Sequence, residues 1–293
     1  MRRLLALVAL LSGCVSPPPP DADPTPAPFD PSAEVDIGNY ERLMEMALYT
    51  HLGDDRGFGP EHDLARDNIV AEFEAIGLQP ELHAFAWGSN TYANIVATQV
   101  GTTDPDEAIV VGAHFDSVDN PGADDNATGT ALVLEMARVL SHVDTARTIH
   151  FVAFDREEQG KIGSRAFVQD RGDDVLFALT ADMVGQDHGQ GGHDLFSTAD
   201  SRPLVDDFAS AIEAHGEGLV GYPQTGDQYT FSDHDSFERV GIPAFVIIEA
   251  TYSANPHYHQ PTDALDQRED YIEYDYVEGL LKACAEFLVA EAG

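Results

Sequence analysis

A chain of 293 residues with 43% hydrophobic side chains can bury a substantial core, as one large domain or two small ones. Its formal net charge is −37, from 52 Asp and Glu against 15 Lys and Arg, and Lys161 and Lys282 are its only lysines. Charge of this sign and size repels phosphate backbones and anionic headgroups, which excludes nucleic-acid binding. It reads as a solubility device suited to a salty habitat, with some of the acidity drawing cations toward a metal site.

The chain opens on a targeting segment. Arg2 and Arg3 precede the apolar run Leu4–Leu11, and Ser12, Gly13 and Cys14 follow. That run is too short to span a bilayer, and the small residues after it fit a signal peptide. Leu11-Ser12-Gly13-Cys14 resembles a bacterial lipobox, which implies that Cys14 carries lipid and becomes the mature N-terminus. Val15 stands where inner-membrane retention would favour Asp, so the resemblance points to an extracytoplasmic protein held at a Gram-negative outer membrane. Residues 15–33 carry Pro17 to Pro20, Pro24, Pro26, Pro28 and Pro31, a stiff tether holding a folded domain off the membrane. No repeat or second linker interrupts residues 34–293, so one domain is expected, as a monomer. With Cys14 lipidated, Cys284 has no partner, and its helical surroundings read as a buried apolar site.

Helical periodicity covers about 38–50, 60–76, 127–141, 202–215 and 270–290. Strand-like runs are Glu81–Trp87, Thr91–Gln99, Ala108–Gly112, Thr148–Phe154, Leu176–Ala181 and Pro243–Ile248. Several are nearly continuous in apolar residues, as strands covered on both faces are. The expected fold is α/β, a three-layer α/β/α sandwich on a mixed, mostly parallel central sheet.

The polar residues that could carry chemistry fall just beyond those strands. His114-Phe115-Asp116 follows the third, Glu157-Glu158 the fourth and Asp182 the fifth, while Gly122-Ala123-Asp124-Asp125-Asn126 precedes a helix. Ligands of open α/β sheets sit beyond the carboxyl ends of the strands, so these segments can converge on one pocket. Imidazole and carboxylate both suit zinc. Two zincs could take His114 and Asp182 on one side and Glu158 with a C-terminal histidine on the other, with Asp125 between them. Two Zn²⁺ would then balance three carboxylates and a hydroxide. Asp116 could accept the second ring N–H of His114 and fix its tautomer.

Six segments together resemble the M28 metallopeptidases: Gly112-Ala113-His114-Phe115-Asp116-Ser117, Gly122–Gly129, Phe154–Gly160, Ala181-Asp182-Met183, Ser232-Asp233-His234 and Tyr258–Asp263. They span most of 110–265 in the family's order. The resemblance implies two Zn²⁺ held by His114, Asp125, Glu158, Asp182 and His259, with Glu157 as general acid/base and a cis peptide between Asp125 and Asn126. It favours Asp125 over Asp124 as the bridge, and His259 over His257. It also implies that Tyr229 offers a phenol to the tetrahedral oxyanion. Disulfide-bearing members have cysteines flanking that loop, where Asp227 and Phe231 stand here.

The activity implied is that of an exopeptidase, foremost an aminopeptidase acting on peptide substrates, since no insertion suggests a large extra domain. Alternatives on the same fold are a glutaminyl cyclase-like enzyme and an inactive peptide-binding ectodomain. Gly-x-Ser-x-Gly and His-Glu-x-x-His are both absent, against a serine hydrolase and a zincin. Ser232 could instead cap a helix. His83, His142 and His215 read as surface residues, and Glu61 and Glu135 as helix positions without chemistry.

Overall fold

The apolar runs at 108–113, 148–154, 176–181 and 244–248 are rich in Val, Ile, Phe and Ala, and they form the middle of one eight-stranded sheet. A computed structural model describes residues 29–48, 55–265 and 271–293 of the chain. The leader with Cys14 and most of the proline-rich segment lie outside the described residues. The strands are β1 (Glu81–Trp87), β2 (Asn90–Gln99), β3 (Asp104–His114), β4 (Arg147–Phe154), β5 (Val175–Ala181), β6 (Gly192–Ser197), β7 (Val220–Thr225) and β8 (Ala244–Glu249). Their order is β1-β2-β4-β3-β5-β8-β6-β7. The four central strands β4, β3, β5 and β8 are mutually parallel, so their carboxyl ends share one edge. Antiparallel pairing of β2 with β4 and of β6 with β8 makes the sheet mixed.

The pleat sends alternate side chains to opposite faces. Ile109, Val111 and Ala113 enter a large core with α1 (Ile37–Arg42), α2 (Pro60–Ile76), α3 (Ala127–Leu140), α5 (Arg202–His215) and α7 (Tyr274–Ala292). Val110, Val152 and Phe154 enter a second core with Phe167 of α4 (Ile162–Arg171) and Phe237 of α6 (His234–Glu238). Each fully buried Val, Leu or Phe contributes about 1.5–3 kcal/mol, so both faces hold the sheet between helix layers. The three-layer α/β/α arrangement is present. Cys284 is buried in α7.

Several elements differ from the sequence expectation. β6 (GHDLFS) and β7 (VGYPQT) were not anticipated, because each is short and polar and β7 carries a proline at the sheet edge. The first helix narrows to Ile37–Arg42 and widens into a π-helical turn at Leu43–Leu48, and the last begins at Tyr274. His83 is a buried residue rather than a surface one: its Nε2 lies 3.1 Å from Asp170 and its Nδ1 3.1 Å from Asn94. Glu135 is buried on α3, where its carboxylate accepts the Asp36 N–H and the Asn39 amide and so ties down the start of the domain.

Candidate metal centre

β3 delivers His114 to the shared strand edge. Its Nδ1 lies 3.0 Å from the carbonyl oxygen of Asp116. A carbonyl can only accept, so Nδ1 carries a hydrogen and Nε2 is the nitrogen free to bind a metal. The tautomer is therefore set by the Asp116 backbone and not, as expected, by its carboxylate, which is 3.7 Å away. That carboxylate turns instead to the backbone N–H groups of Glu157, at 3.1 Å, and Glu158, at 3.4 Å, and so fixes the turn after β4.

Asp125 sits in the turn leading to α3. Gly122 has φ +66°, and a Cβ there would come within 2.5 Å of the Asp125 carbonyl, so glycine is required. The carboxylate of Asp263 accepts the N–H of Asp124 at 2.7 Å and of Asp125 at 3.0 Å, and the Tyr271 phenol at 2.7 Å. Asn126 follows through a cis peptide. Its Nδ2 donates to the Ala181 carbonyl at 2.8 Å and its Oδ1 accepts from Met183, holding the end of β5 and hence Asp182 against the turn.

These elements bring together all five sequence-predicted ligands. His114 Nε2 lies 3.3 Å from Asp125 Oδ1 and 3.5 Å from Asp182 Oδ1. His259 Nε2 lies 3.2 Å from Asp125 Oδ2 and 3.3 Å from Glu158 Oε2. Each oxygen of Asp125 thus faces a different pair of partners, which makes two three-residue clusters sharing one carboxylate. A tetrahedral zinc with ligands at about 2.0–2.1 Å holds its ligand atoms about 3.3–3.4 Å apart, and the observed separations match that spacing. Glu158 Oε1 is buried without a hydrogen-bond partner. The donor set and the spacing fit zinc.

The electrostatics also call for a cation. Burial raises the Asp125 carboxyl, but the hydrogen bonds from His114 and His259 outweigh it and hold the group below the ordinary carboxylate range. Contact with Asp125 and Glu158 pushes His259 up to about 10. Burial, with Asp125 close by, pushes Glu158 up to about 7. Burial also raises Glu157 well above the ordinary range, and Asp233 to about 7. Glu157 is not part of either cluster, yet it lines the same cavity of about 210 Å³. The other wall of that cavity is apolar: Met183, Phe231, Ile248, Tyr252 and Tyr258.

Tyr229 does not fill its expected place. Its ring packs 4.5 Å from Phe196 and is not among the residues lining the cavity. Phe196 belongs to β6, which the sequence did not announce, and Tyr229 packs with it against a small apolar cluster that includes Met183, Val246 and Ile248. The phenols that do line the cavity are Tyr252 and Tyr258, and the Tyr258 ring lies 4.0 Å from that of His259. Ser232 does not cap α6, which begins at His234 after Asp233. Asp124 is turned away, accepting from Gly185 and Asn255, and His257 pairs with Thr262 instead of entering a cluster. Sequence reasoning missed the role of Asp263, although it lies inside a quoted motif.

The sequence profile of Peptidase family M28 matches residues 94–283. Aminopeptidase YwaD of Bacillus subtilis is 33% identical over 207 residues, 66% of this chain and 44% of that protein. Leucine aminopeptidase 1 of Ajellomyces capsulatus is 32% identical over 218 residues, 64% of this chain and 52% of that protein. The chain thus spans about half the length of the curated relatives it matches. Among solved structures, an aminopeptidase from Aneurinibacillus sp. strain AM-1 superposes with a TM-score of 0.74 at 19% identity, over 89% of this chain and 95% of that one. BSAP, a zinc aminopeptidase from Bacillus subtilis, gives 0.61 at 27%, over 71% and 52%. A Porphyromonas gingivalis glutaminyl cyclase gives 0.71 at 19%, over 88% and 99%, which at that identity speaks to fold alone.

Proposed function

This chain belongs to peptidase family M28, and on that premise we propose that it is a two-zinc aminopeptidase that removes N-terminal residues from peptides. The observation that carries the reading is the sharing of Asp125, one oxygen toward His114 and Asp182 and the other toward Glu158 and His259. His114 and Asp182 would hold one zinc and Glu158 and His259 the other, with Asp125 contributing to both. Zinc bound there would supply Lewis acidity, polarising a peptide carbonyl and lowering the pKa of water.

The chain's own residues supply the rest. Glu157 lines the cavity with a raised proton affinity, suited to taking a proton from the attacking water and passing it to the leaving amine. Asp116 accepts the N–H groups of both Glu157 and Glu158, so one anchor aims the proton carrier into the cavity and its neighbour at the metal. Tyr258, beside His259, and Tyr252 are the phenols lining the cavity that a developing oxyanion could meet. The wall of Met183, Phe231, Ile248 and Tyr252 suits an apolar N-terminal side chain.

A glutaminyl cyclase reading shares the fold, and a relative of that kind superposes well. The complete His114-Asp125-Asp182 cluster, which offers ligands for a second metal, favours the peptidase. Purified protein assayed with leucyl and N-terminal glutaminyl peptides separates the two: release of leucine supports the proposal, and pyroglutamate without leucine overturns it. The lipobox-like Leu11–Cys14 supports a further proposal, that the domain is held outside the cytoplasm by lipid on Cys14.

A further inference from the structure

Phe231 reaches the cavity wall from a segment with little regular structure of its own. Residues 226–233 connect β7 to α6, and few backbone bonds hold them, among them Gly226 N–H to the Ser197 carbonyl and Tyr229 N–H to the Gly226 carbonyl. The Phe231 ring packs against Phe196, His234 and Tyr252, the His234 Nε2 lies 3.0 Å from the Tyr229 carbonyl oxygen, and a further brace comes from the turn that carries Glu157.

Lys161 follows the turn that carries Glu157 and Glu158. Its backbone N–H donates to the Glu157 carbonyl at 2.7 Å. Its side chain lines the cavity, and the ammonium donates to the Thr230 carbonyl and lies 3.1 Å from Asp235 Oδ2. Arg239 holds the same Asp235 oxygen at 2.6 Å, so the far end of the brace is itself fixed. The Lys161 side chain is only 10% exposed, and its ammonium is taken up by Asp235 and the Thr230 carbonyl, so it is directed at the loop rather than at a substrate. The backbone of Lys161 has φ +60°, in the left-handed region where glycine is favoured.

Resting on the aminopeptidase reading, we propose that Lys161 is a positioning residue that holds Phe231 at the cavity wall and thereby sets a preference for large over small apolar N-terminal side chains. One residue then couples the turn of the proton carrier to the wall that grips the substrate. The four-carbon stem covers apolar surface while the head bonds the loop.

The test compares Lys161→Met, which keeps the stem and removes the charge, with Lys161→Arg, which keeps a donor. Leucyl, alanyl and glutamyl p-nitroanilides and hydrogen exchange of amides 226–233 are the readouts. In Lys161→Met the leucyl-to-alanyl ratio of kcat/KM should fall by about tenfold, through a higher KM for the leucyl substrate. Exchange in 226–233 should quicken while β3 and β5 keep their protection, and Lys161→Arg should recover part of both. Should Lys161→Met not fold, Asp235→Asn removes the bridge from its other end and should give the same pattern. A leucyl-to-alanyl ratio unchanged in a folded variant overturns the proposal. A loss greater on the glutamyl than on the leucyl substrate also overturns it and makes Lys161 a receptor for acidic side chains. If the wild-type protein turns over no aminoacyl substrate, the aminopeptidase reading fails by itself, and unchanged exchange in 226–233 then overturns the brace independently.

Discussion

Replacing Asp263 by Asn tests how the bridging carboxylate is held. Asp263 Oδ1 accepts the Asp124 N–H and the Tyr271 hydroxyl, while Oδ2 accepts the Asp125 N–H. An amide that keeps its oxygen on the first pair must turn its NH2 toward the Asp125 N–H, donor against donor. One charge-assisted bond, worth about 1.5–3 kcal/mol, is lost, and two others fall from that range to neutral bonds of about 1 kcal/mol each, so the variant should be destabilised by about 2.5–7 kcal/mol. The damage falls on the backbone of Asp125, so zinc affinity should drop by about 10–100-fold, as it does when an outer partner of a ligand is removed. Burial pushes Asp263 up to about 6, so the comparison belongs at pH 8, where the wild-type group is ionised. Urea unfolding and chelator competition measure the two effects. A variant of wild-type stability and unchanged zinc affinity would refute the assigned role of Asp263.

Glu157→Gln should keep zinc and fold while turnover falls by about 10²–10⁴-fold, checked by metal analysis and single-turnover kinetics. Glu158→Gln should weaken zinc at one position and partly recover activity in excess zinc, which titration with the metal will show. After chelation, Glu158 and Asp233 sit near 7, Glu249 near 8 and His259 near 10, all above their ordinary values. The raised carboxyls therefore favour the metal-free fold fully below their unfolded values near 4, a contribution lost as pH rises through 7–8, while that of His259 is present below about 6.5 and is lost only as pH rises toward 10. Zinc needs deprotonated ligands, so the gap in Tm between loaded and chelated protein should widen from pH 5 to pH 8 in thermal scans. Cys14→Ser should release the protein from membranes, as fractionation and intact mass will record.

Four of the five ligands were legible beside landmarks that the sequence itself displays, while the choice of His259 over His257 rested on the family resemblance. His114, Glu158 and Asp182 end or follow apolar runs that can only be central strands, and Asp125 precedes the helix that starts at Ala127. What escaped were relations between distant segments. Asp263 meets Asp125 across 138 residues, and no local pattern announces that two N–H groups await its carboxylate. The resemblance implies a role for Tyr229, whereas its ring packs on Phe196 of a strand too short and polar to be read. His83 was read as exposed because alternation on an edge strand does not reveal that Asn94 and Asp170 close over one face. Asp116 was assigned to the right neighbourhood with the wrong atom, since the chain reverses after β3 and offers His114 a carbonyl before it offers a carboxylate.

Anomalous diffraction at the zinc edge, on crystals of protein purified without chelator, tests the central claim most directly. Two peaks about 3.5–4 Å apart should flank Asp125, one beside His114 and Asp182 and the other beside Glu158 and His259. A single peak, or zinc bound away from Asp125 in fully active protein, would contradict the shared-carboxylate centre.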